Sequence, residues 1–532
     1  MSKQSQIEQG ATSLGIEFGS TRIKAVLIDE SYEVLASGEH DWQNHLDDGI
    51  WTYPLDEVWA GLQDAYANLK KDVEEKYHVK LTRIGTMGFS AMMHGYLAFD
   101  SDDNLLVPFR TWRNTMTAEA SEKLTALFNY TIPQRWSIAH FYQAVLNAEP
   151  HVNKVAFLTT LAGYVHWKLT GKKVLGIGDA SGMFPIDPQA RSYNAEDITL
   201  FNELPEIQQL HVDIAQLLPT PLVAGQEAGR LSEEGAKLLD PTGELEAGCP
   251  LAAPEGDAGT GMVATNAVRP RTGNVSAGTS IFGMVVLEHA LSKAYPQVDP
   301  VATPAGDMAG MSHANNFTTD LNAWVGLFGQ FAKAAGLEIS TNDLFKTLFN
   351  ASISDEADPA AGGLLNYCLY SGEPLVGVEE GRPLFVHGPQ ATMSLANFMR
   401  AQLFSAFAPV TVGMRVMTEQ EGVKIDKLVG HGGVFATPVV AQKLLAAACN
   451  APITVMSTAS EGGPWGMAVL ADYLRHADEA DLSDFLDQRV FKDAEATTLQ
   501  PVNEDVAGFN AFLNAFLKAM PVERAAITTV AQ

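Results

Sequence analysis

Asp257 lies in a run of small residues, Glu255-Gly256-Asp257-Ala258-Gly259-Thr260-Gly261, where a substrate can approach a carboxylate with little side-chain obstruction. A carboxyl with a pKa near 3.9 is ionised at neutral pH and can take a proton from a hydroxyl held within about 2.6–3.2 Å. General-base chemistry is what this offers. Glu255 competes for the same role, and either residue also suits a turn or a helix cap. A second chemistry is suggested by one design that occurs twice. In the first copy Gly19-Ser20-Thr21 follows the strand pattern Leu14–Phe18 and leads, with Lys24 close behind, into Ala25–Ile28. In the second, Gly278-Thr279-Ser280 joins Gly273–Ala277 to Met284–Leu287. A turn without a side chain at Gly, with backbone N–H and hydroxyl donors beside it, can wrap a phosphate. Singly, each is also what an ordinary tight turn in a buried sheet looks like. Together they suggest a duplicated domain whose two turns face each other across a cleft.

Three further segments carry polar or cradle-forming residues. Ser90-Ala91-Met92-Met93-His94-Gly95 follows a strand, and a ring with hydrogen-bonding nitrogens at a strand's C-terminal end suits a small polar ligand as well as a structural role. Arg110-Thr111-Trp112-Arg113-Asn114 combines an aromatic face, cations and an amide, which suits sugars and also an ordinary surface loop. Gly430-His431-Gly432-Gly433 follows an apolar strand and precedes a helix, the order in which a helix N-terminus faces nucleotide phosphates, or a plain βα turn. Glu461-Gly462-Gly463-Pro464-Trp465-Gly466 reads mainly as a packing feature, with the wall of an adenine pocket as the alternative.

The elements that must position these residues read as mixed α/β. Strand, turn and strand from Leu14 are followed by an amphipathic helix over Leu55–Tyr77 and a strand over Ile84–Phe89. A helix is expected over Lys154–Leu169, stopped at Gly171, with Asp179–Gly182 as a loop and an irregular stretch over Leu217–Pro254. The second half is expected to hold helices over Asp320–Ala335, Leu395–Glu419 and Val439–Ala448, and a strand over Ile425–Val429. From Asp481 onward, one or two helices packed across the domains are expected. At 532 residues the chain suits two large domains, with a boundary near Arg269–Thr272.

A net charge of −28 argues against nucleic acid or an anionic membrane as partner, so a bound phosphate needs local attraction from amides, Lys24 and a cation. Cys249, Cys368 and Cys449 fit neither a disulfide framework nor a zinc site and suggest a reducing cytosol. The polar N-terminus and the lack of a long apolar run argue against secretion and membrane insertion.

In this order, the segments from Leu14 to Leu474 resemble the FGGY family of carbohydrate kinases. The matching pieces are Gly15–Lys24, Met93-His94-Gly95, the Trp112 segment, Leu169-Thr170-Gly171 with Asp179-Ala180-Ser181-Gly182, Gly256-Asp257, Gly278-Thr279-Ser280 and Gly430–Gly433. The resemblance implies an α/β fold of two actin-like (ribonuclease H-like) domains flanking a central cleft, a sugar-binding one over 1–270 and a nucleotide-binding one over 271–532. It implies ATP-dependent transfer to the terminal hydroxyl of a ketopentose, D-xylulose or L-ribulose, with Asp257 as the base and Mg²⁺ bridging phosphates. Gly19, Ser20, Thr21, Lys24, Gly278, Thr279, Gly432 and Gly433 would hold ATP. Met93, His94, Trp112, Asn114 and Asp257 would face the sugar, with Glu17 and Asp257 beside the metal. Two positions depart from the family pattern: Glu17 and Asn114 each stand where an Asp is usual. They leave open a second reading, a non-catalytic sugar and ATP sensor or an actin-like ATPase module. A homodimer is compatible with either.

Overall fold

In the computed structural model, residues 1–456 and 462–530 are described. The chain divides into two compact units that interleave in sequence. The first comprises Met1–Val268, Pro300–Ala309 and Glu461–Asp493, and the second comprises Arg269–Asp299, Gly310–Ser460 and Ala494–Gln532.

The first unit is built on a sheet whose core strands are β1 (Ser13–Phe18), β2 (Arg22–Ile28), β3 (Val34–Asp41), β4 (Thr86–Ala91) and β5 (Pro250–Ala252), in the order β5-β4-β1-β2-β3. β1 runs antiparallel to β2 and parallel to β4. Leu14, Ile16 and Phe18 are fully buried, as a central strand covered by helices requires. Glycines admit two of those helices. A Cβ on Gly15 would lie 2.0 Å from Pro464 O and 2.4 Å from Ala468 N, and one on Gly38 would lie 2.1 Å from Ala65 O. The helix Leu55–Tyr77 forms as its periodicity requires, burying Val58, Leu62, Ala65, Leu69 and Val73, with Asp56 and Glu57 at its positive end.

The second unit repeats this order with β6 (Thr272–Ala277), β7 (Ile281–Val286), β8 (Met308–Ala314), β9 (Lys427–His431) and β10 (Ile453–Met456), arranged β8-β7-β6-β9-β10. Again the first strand pairs antiparallel with the second and parallel with one that arrives much later. In the helix Leu395–Arg415, Pro409 has no N–H for the carbonyl four residues back, and the Cys368 thiol donates to that Ser405 oxygen at 3.7 Å. Among the described residues no helix is long and apolar enough to cross a membrane.

Several local expectations change. The helix expected from Lys154 begins at Leu161, because Phe157–Thr159 pairs as a strand with Leu97–Phe99 and Thr160 caps the helix by accepting the Gly163 N–H. Asp179 belongs to a one-turn helix, Ile177–Ala180, rather than a loop, and Glu255 accepts its first free amides. The stretch Leu217–Pro254 holds three short strands and the helix Glu233–Leu239, capped by Ser232. After Gly432 comes a tight turn, Gly433–Ala436. Gly432 and Gly433 thus open a single 3-10 turn, and the α-helix begins only at Val440, since Thr437 precedes Pro438 and is held extended. The C-terminal stretch divides, to Asp493 with the first unit and from Ala494 with the second.

Candidate active site

The Gly19-Ser20-Thr21 turn is fixed through its carbonyls. Met92 N–H donates to Phe18 O (3.0 Å), the Trp42 indole to Gly19 O (2.7 Å), the Tyr53 hydroxyl to Ser20 O (2.7 Å) and Trp42 N–H to Thr21 O (3.1 Å). Four consecutive acceptors are thus satisfied by protein, and among the described residues the Ser20 and Thr21 hydroxyls have no partner. Such a turn presents donors to an anion without competition from its own carbonyls. Lys24 lies on β2 between Glu17 and Glu39 in register, 3.9 Å from the latter.

The second turn is built alike. Gly278 N–H bonds Ser280 O (2.9 Å), Thr318 Oγ1 donates to Gly278 O (2.8 Å) and Phe317 N–H to Thr279 O (3.1 Å), while Gly278 and Thr279 are exposed. Gly432 belongs to the same place. Its φ is +111° and a Cβ there would lie 2.0 Å from Ala277 O, the residue entering the turn. Gly433 follows in open space.

Asp257 opens the helix Asp257–Ala264. Its Oδ1 accepts the N–H of Met93 (3.2 Å) and of Ala258 (2.9 Å). It is reached by solvent yet ringed by protein, and that crowding raises its pKa, countered by those amides and the Arg135 cation. Glu255 is placed differently. It is 2 % exposed, with its carboxylate on the Gly178 and Asp179 amides (3.3 and 3.0 Å), and burial followed by the charge of Asp179 pushes its pKa to about 8. Solvent reaches Asp257, whereas Glu255 is walled in.

Met93 and His94 follow the end of β4. His94 takes φ +71° and Gly95 +99°, a backward turn that stacks the buried imidazole on Trp136 (6.4 Å between centroids) and lays it over Gly182, where a Cβ would lie 2.5 Å from Nδ1. Trp112 is half-buried and packs against the first unit's core. The Asn114 amide accepts Trp51 N–H (2.9 Å) and donates to Trp51 O (2.8 Å) and Thr111 O (3.0 Å), so both its N–H groups and one acceptor position are taken by the backbone of Trp51 and Thr111. An Asp could accept there but not donate, which accounts for the departure.

Glu17 faces Ser90 (3.4 Å), and burial, then Asp257, pushes its pKa to about 8. A Cβ on Gly463 would lie 1.6 Å from Glu17 Oε2, so the longer carboxylate occupies space that only glycine at 463 leaves. Gly463 and Gly466, where a Cβ would lie 2.2 Å from Thr260 O, therefore serve packing within the first unit; Glu461 lies outside the described residues. No group of three or more His, Cys, Asp or Glu able to hold a metal occurs among the described residues. A cation here would have to be held mainly by a ligand's phosphates and water, with Asp257 nearby and Glu17 adding charge only once it gives up its proton.

The residues missed in the sequence are those that tie off the turns, Trp42, Tyr53, Phe317 and Thr318; Asp179 and Glu255 stand out in the sequence singly, but not as a pair. A buried carbonyl must find a donor, but no local spacing says which.

The raised acids set a pH dependence. Glu17, Glu255 and Asp179 keep their protons to about 8, 8 and 7 when folded, whereas the unfolded chain releases them near 4. The folded state binds more protons in between, so stability falls as pH rises from about 4.5 to 8 and then levels. For the buried Glu255 the slope reaches about 1.4 kcal/mol per pH unit. The thermal midpoint should be higher at pH 5.5 than at pH 8, and Glu255→Gln, which keeps an acceptor, should raise the pH 8 midpoint. A wild-type midpoint that rises toward pH 8 contradicts this.

The N-terminal domain of the FGGY family of carbohydrate kinases matches residues 12–258 and the C-terminal domain matches residues 273–474. The xylulose kinase of Staphylococcus xylosus is 21 % identical over 42 % of this chain and 44 % of its own length. That of Haemophilus influenzae is 23 % identical over 79 % and 82 %. Among solved structures, a ligand-bound xylulose kinase from Lactobacillus acidophilus superposes with a TM-score of 0.75 at 16 % identity, covering 97 % of this chain and 99 % of its own. A gluconate kinase from the same organism gives 0.75 at 16 %, covering 97 % and 98 %.

Proposed function

Because the chain belongs to the FGGY family of carbohydrate kinases, we propose that it transfers the γ-phosphate of ATP to the terminal hydroxyl of a ketopentose, D-xylulose or L-ribulose, with Asp257 as general base. The fold is the family's pair of actin-like (ribonuclease H-like) units, and the enzyme is a sugar kinase. The observation that carries the assignment of the base is the Asp257 carboxylate, open to solvent and aimed by two amides, one of them from Met93.

In this reading Met93 and Ala258 hold Oδ1 while Oδ2 takes the proton of the acceptor hydroxyl as it attacks phosphorus. His94 offers a ring nitrogen to a sugar hydroxyl, and Trp112 an aromatic face. The Gly19 and Gly278 turns receive phosphate oxygens, and Gly432-Gly433 lines the adenosine. Sugar is assigned to the first unit, which also takes in 300–309 and 461–493, and the nucleotide to the second. Mg²⁺ bound with ATP would neutralise phosphate charge, and Asp257, together with Glu17 once deprotonated, would help to hold it. Asn114 orients the Trp51 segment of the sugar side rather than the sugar itself.

A ketopentose is favoured by the Met93-His94-Gly95 element and by relatives named xylulose kinase. The equal superposition of a gluconate kinase shows that the fold does not choose the sugar. The test is ADP release with D-xylulose, L-ribulose, D-ribulose, glycerol and gluconate. Turnover highest on a ketopentose is expected. Silence on all five with folded protein rejects the reading, and ATP turnover without sugar favours an ATPase module. His94→Ala should raise the sugar KM by about tenfold with little change in the ATP KM; an unchanged sugar KM makes His94 purely structural.

A further inference from the structure

The hydrogen bonds that hold the second glycine turn lead back to one buried carboxylate. Phe317 and Thr318, which bond the carbonyls of Thr279 and Gly278, belong to a segment fixed from behind by Glu373. A single oxygen of Glu373, Oε2, accepts Asn315 N–H (2.8 Å), Asn316 N–H (3.3 Å) and Asn316 Nδ2 (3.1 Å). Asn316 Oδ1 in turn accepts the amides of Tyr370 and Ser371 (2.9 and 3.0 Å). Glu373 is 0 % exposed, and its Oε1 makes no hydrogen bond of ordinary geometry, although the Leu375 backbone N–H also favours its charged form. Burying a carboxyl with one oxygen unsatisfied is costly, so the bonds made by the other oxygen must return more than ordinary packing does.

We infer that Glu373 is a positioning residue for the nucleotide: it clamps Asn315–Thr318, and through Thr318 and Phe317 it sets the shape of the Gly278-Thr279-Ser280 turn. This rests on that turn receiving phosphate. Gln at 373 can place its carbonyl where Oε2 lies, so the three donors from Asn315 and Asn316 stay satisfied, and its amide replaces only Oε1, which makes no hydrogen bond of ordinary geometry. Ala or Leu leaves three donors unanswered and frees the clasp.

The experiment is ADP binding by calorimetry with Mg²⁺ present, alongside steady-state KM values for ATP and sugar. Glu373→Gln should bind ADP within about threefold of wild type, and Glu373→Leu at least tenfold more weakly with the sugar KM unchanged. Thr318→Val, outside the buried cluster, cuts the last link and should weaken ADP by about threefold or more, which decides the matter if Glu373→Leu does not fold. Equal ADP affinity in wild type and Thr318→Val, or in wild type and folded Glu373→Leu, overturns the role of Glu373. Absence of ADP binding in the wild type itself overturns the phosphate reading of the turn instead.

Discussion

Asp257→Asn should lower kcat by a factor of about 10²–10⁴, the range a general base contributes, while leaving the ATP KM and the thermal midpoint nearly unchanged. The asymmetry follows from the geometry. Asn keeps the size of the side chain and an oxygen that accepts the N–H groups of Met93 and Ala258, so the local structure survives. What it loses is the capacity to take a proton. Glu255→Gln is the control, because Glu255 is enclosed by Gly176, Gly178 and Asp179, and a Gln oxygen still accepts one of its two amides while the other is lost, a structural cost that leaves Asp257 in place. Steady-state kinetics of both variants with saturating sugar settles which carboxylate is the base. If Glu255→Gln is crippled and Asp257→Asn is not, the assignment is reversed.

The features legible in the sequence were those carried by local pattern. Alternating apolar residues around Gly19 and Gly278 announced two strand-turn-strand units, and both sheets grow from them in the same order. The periodicity of Leu55–Tyr77 gave that helix to the residue. Features fixed by distant partners were not legible. Thr159 and Thr160 end a strand and cap a helix because Leu97–Phe99 is there to pair with, a fact absent from the Lys154–Leu169 window. Asn114 reads as a sugar ligand by its neighbours, and nothing in the sequence indicates that its amide also pairs with the backbone of Trp51, 63 residues earlier. The partners of the glycine turns, such as Trp42 for Gly19 and Phe317 for Thr279, are chosen by topology, and spacing near the turns does not point to them.

The departure at Glu17 leads to the second large effect, because the structure shows what allows it. Glu17 Oε2 fills the space where a side chain at 463 would begin, 1.6 Å from an ideal Cβ, and the helix carrying Gly463 is already pressed backbone-to-backbone on β1 through Gly15. Neither element can retreat, so Gly463→Ala must displace the Glu17 carboxylate or part the helix from the sheet. Overpacking of this kind costs about 1–3 kcal/mol, and the displaced acid lies beside Asp257, so turnover should fall together with the thermal midpoint. An Asp at 17 is one methylene shorter and withdraws from that space. Glu17→Asp alone should therefore be mild, and Glu17→Asp combined with Gly463→Ala should recover most of the lost stability. A coupling of at least about 1 kcal/mol in this double-mutant cycle is the expected result. Additive losses would mean that Gly463 is required for the path of its own backbone, and that the length of the acid at 17 is unrelated to it.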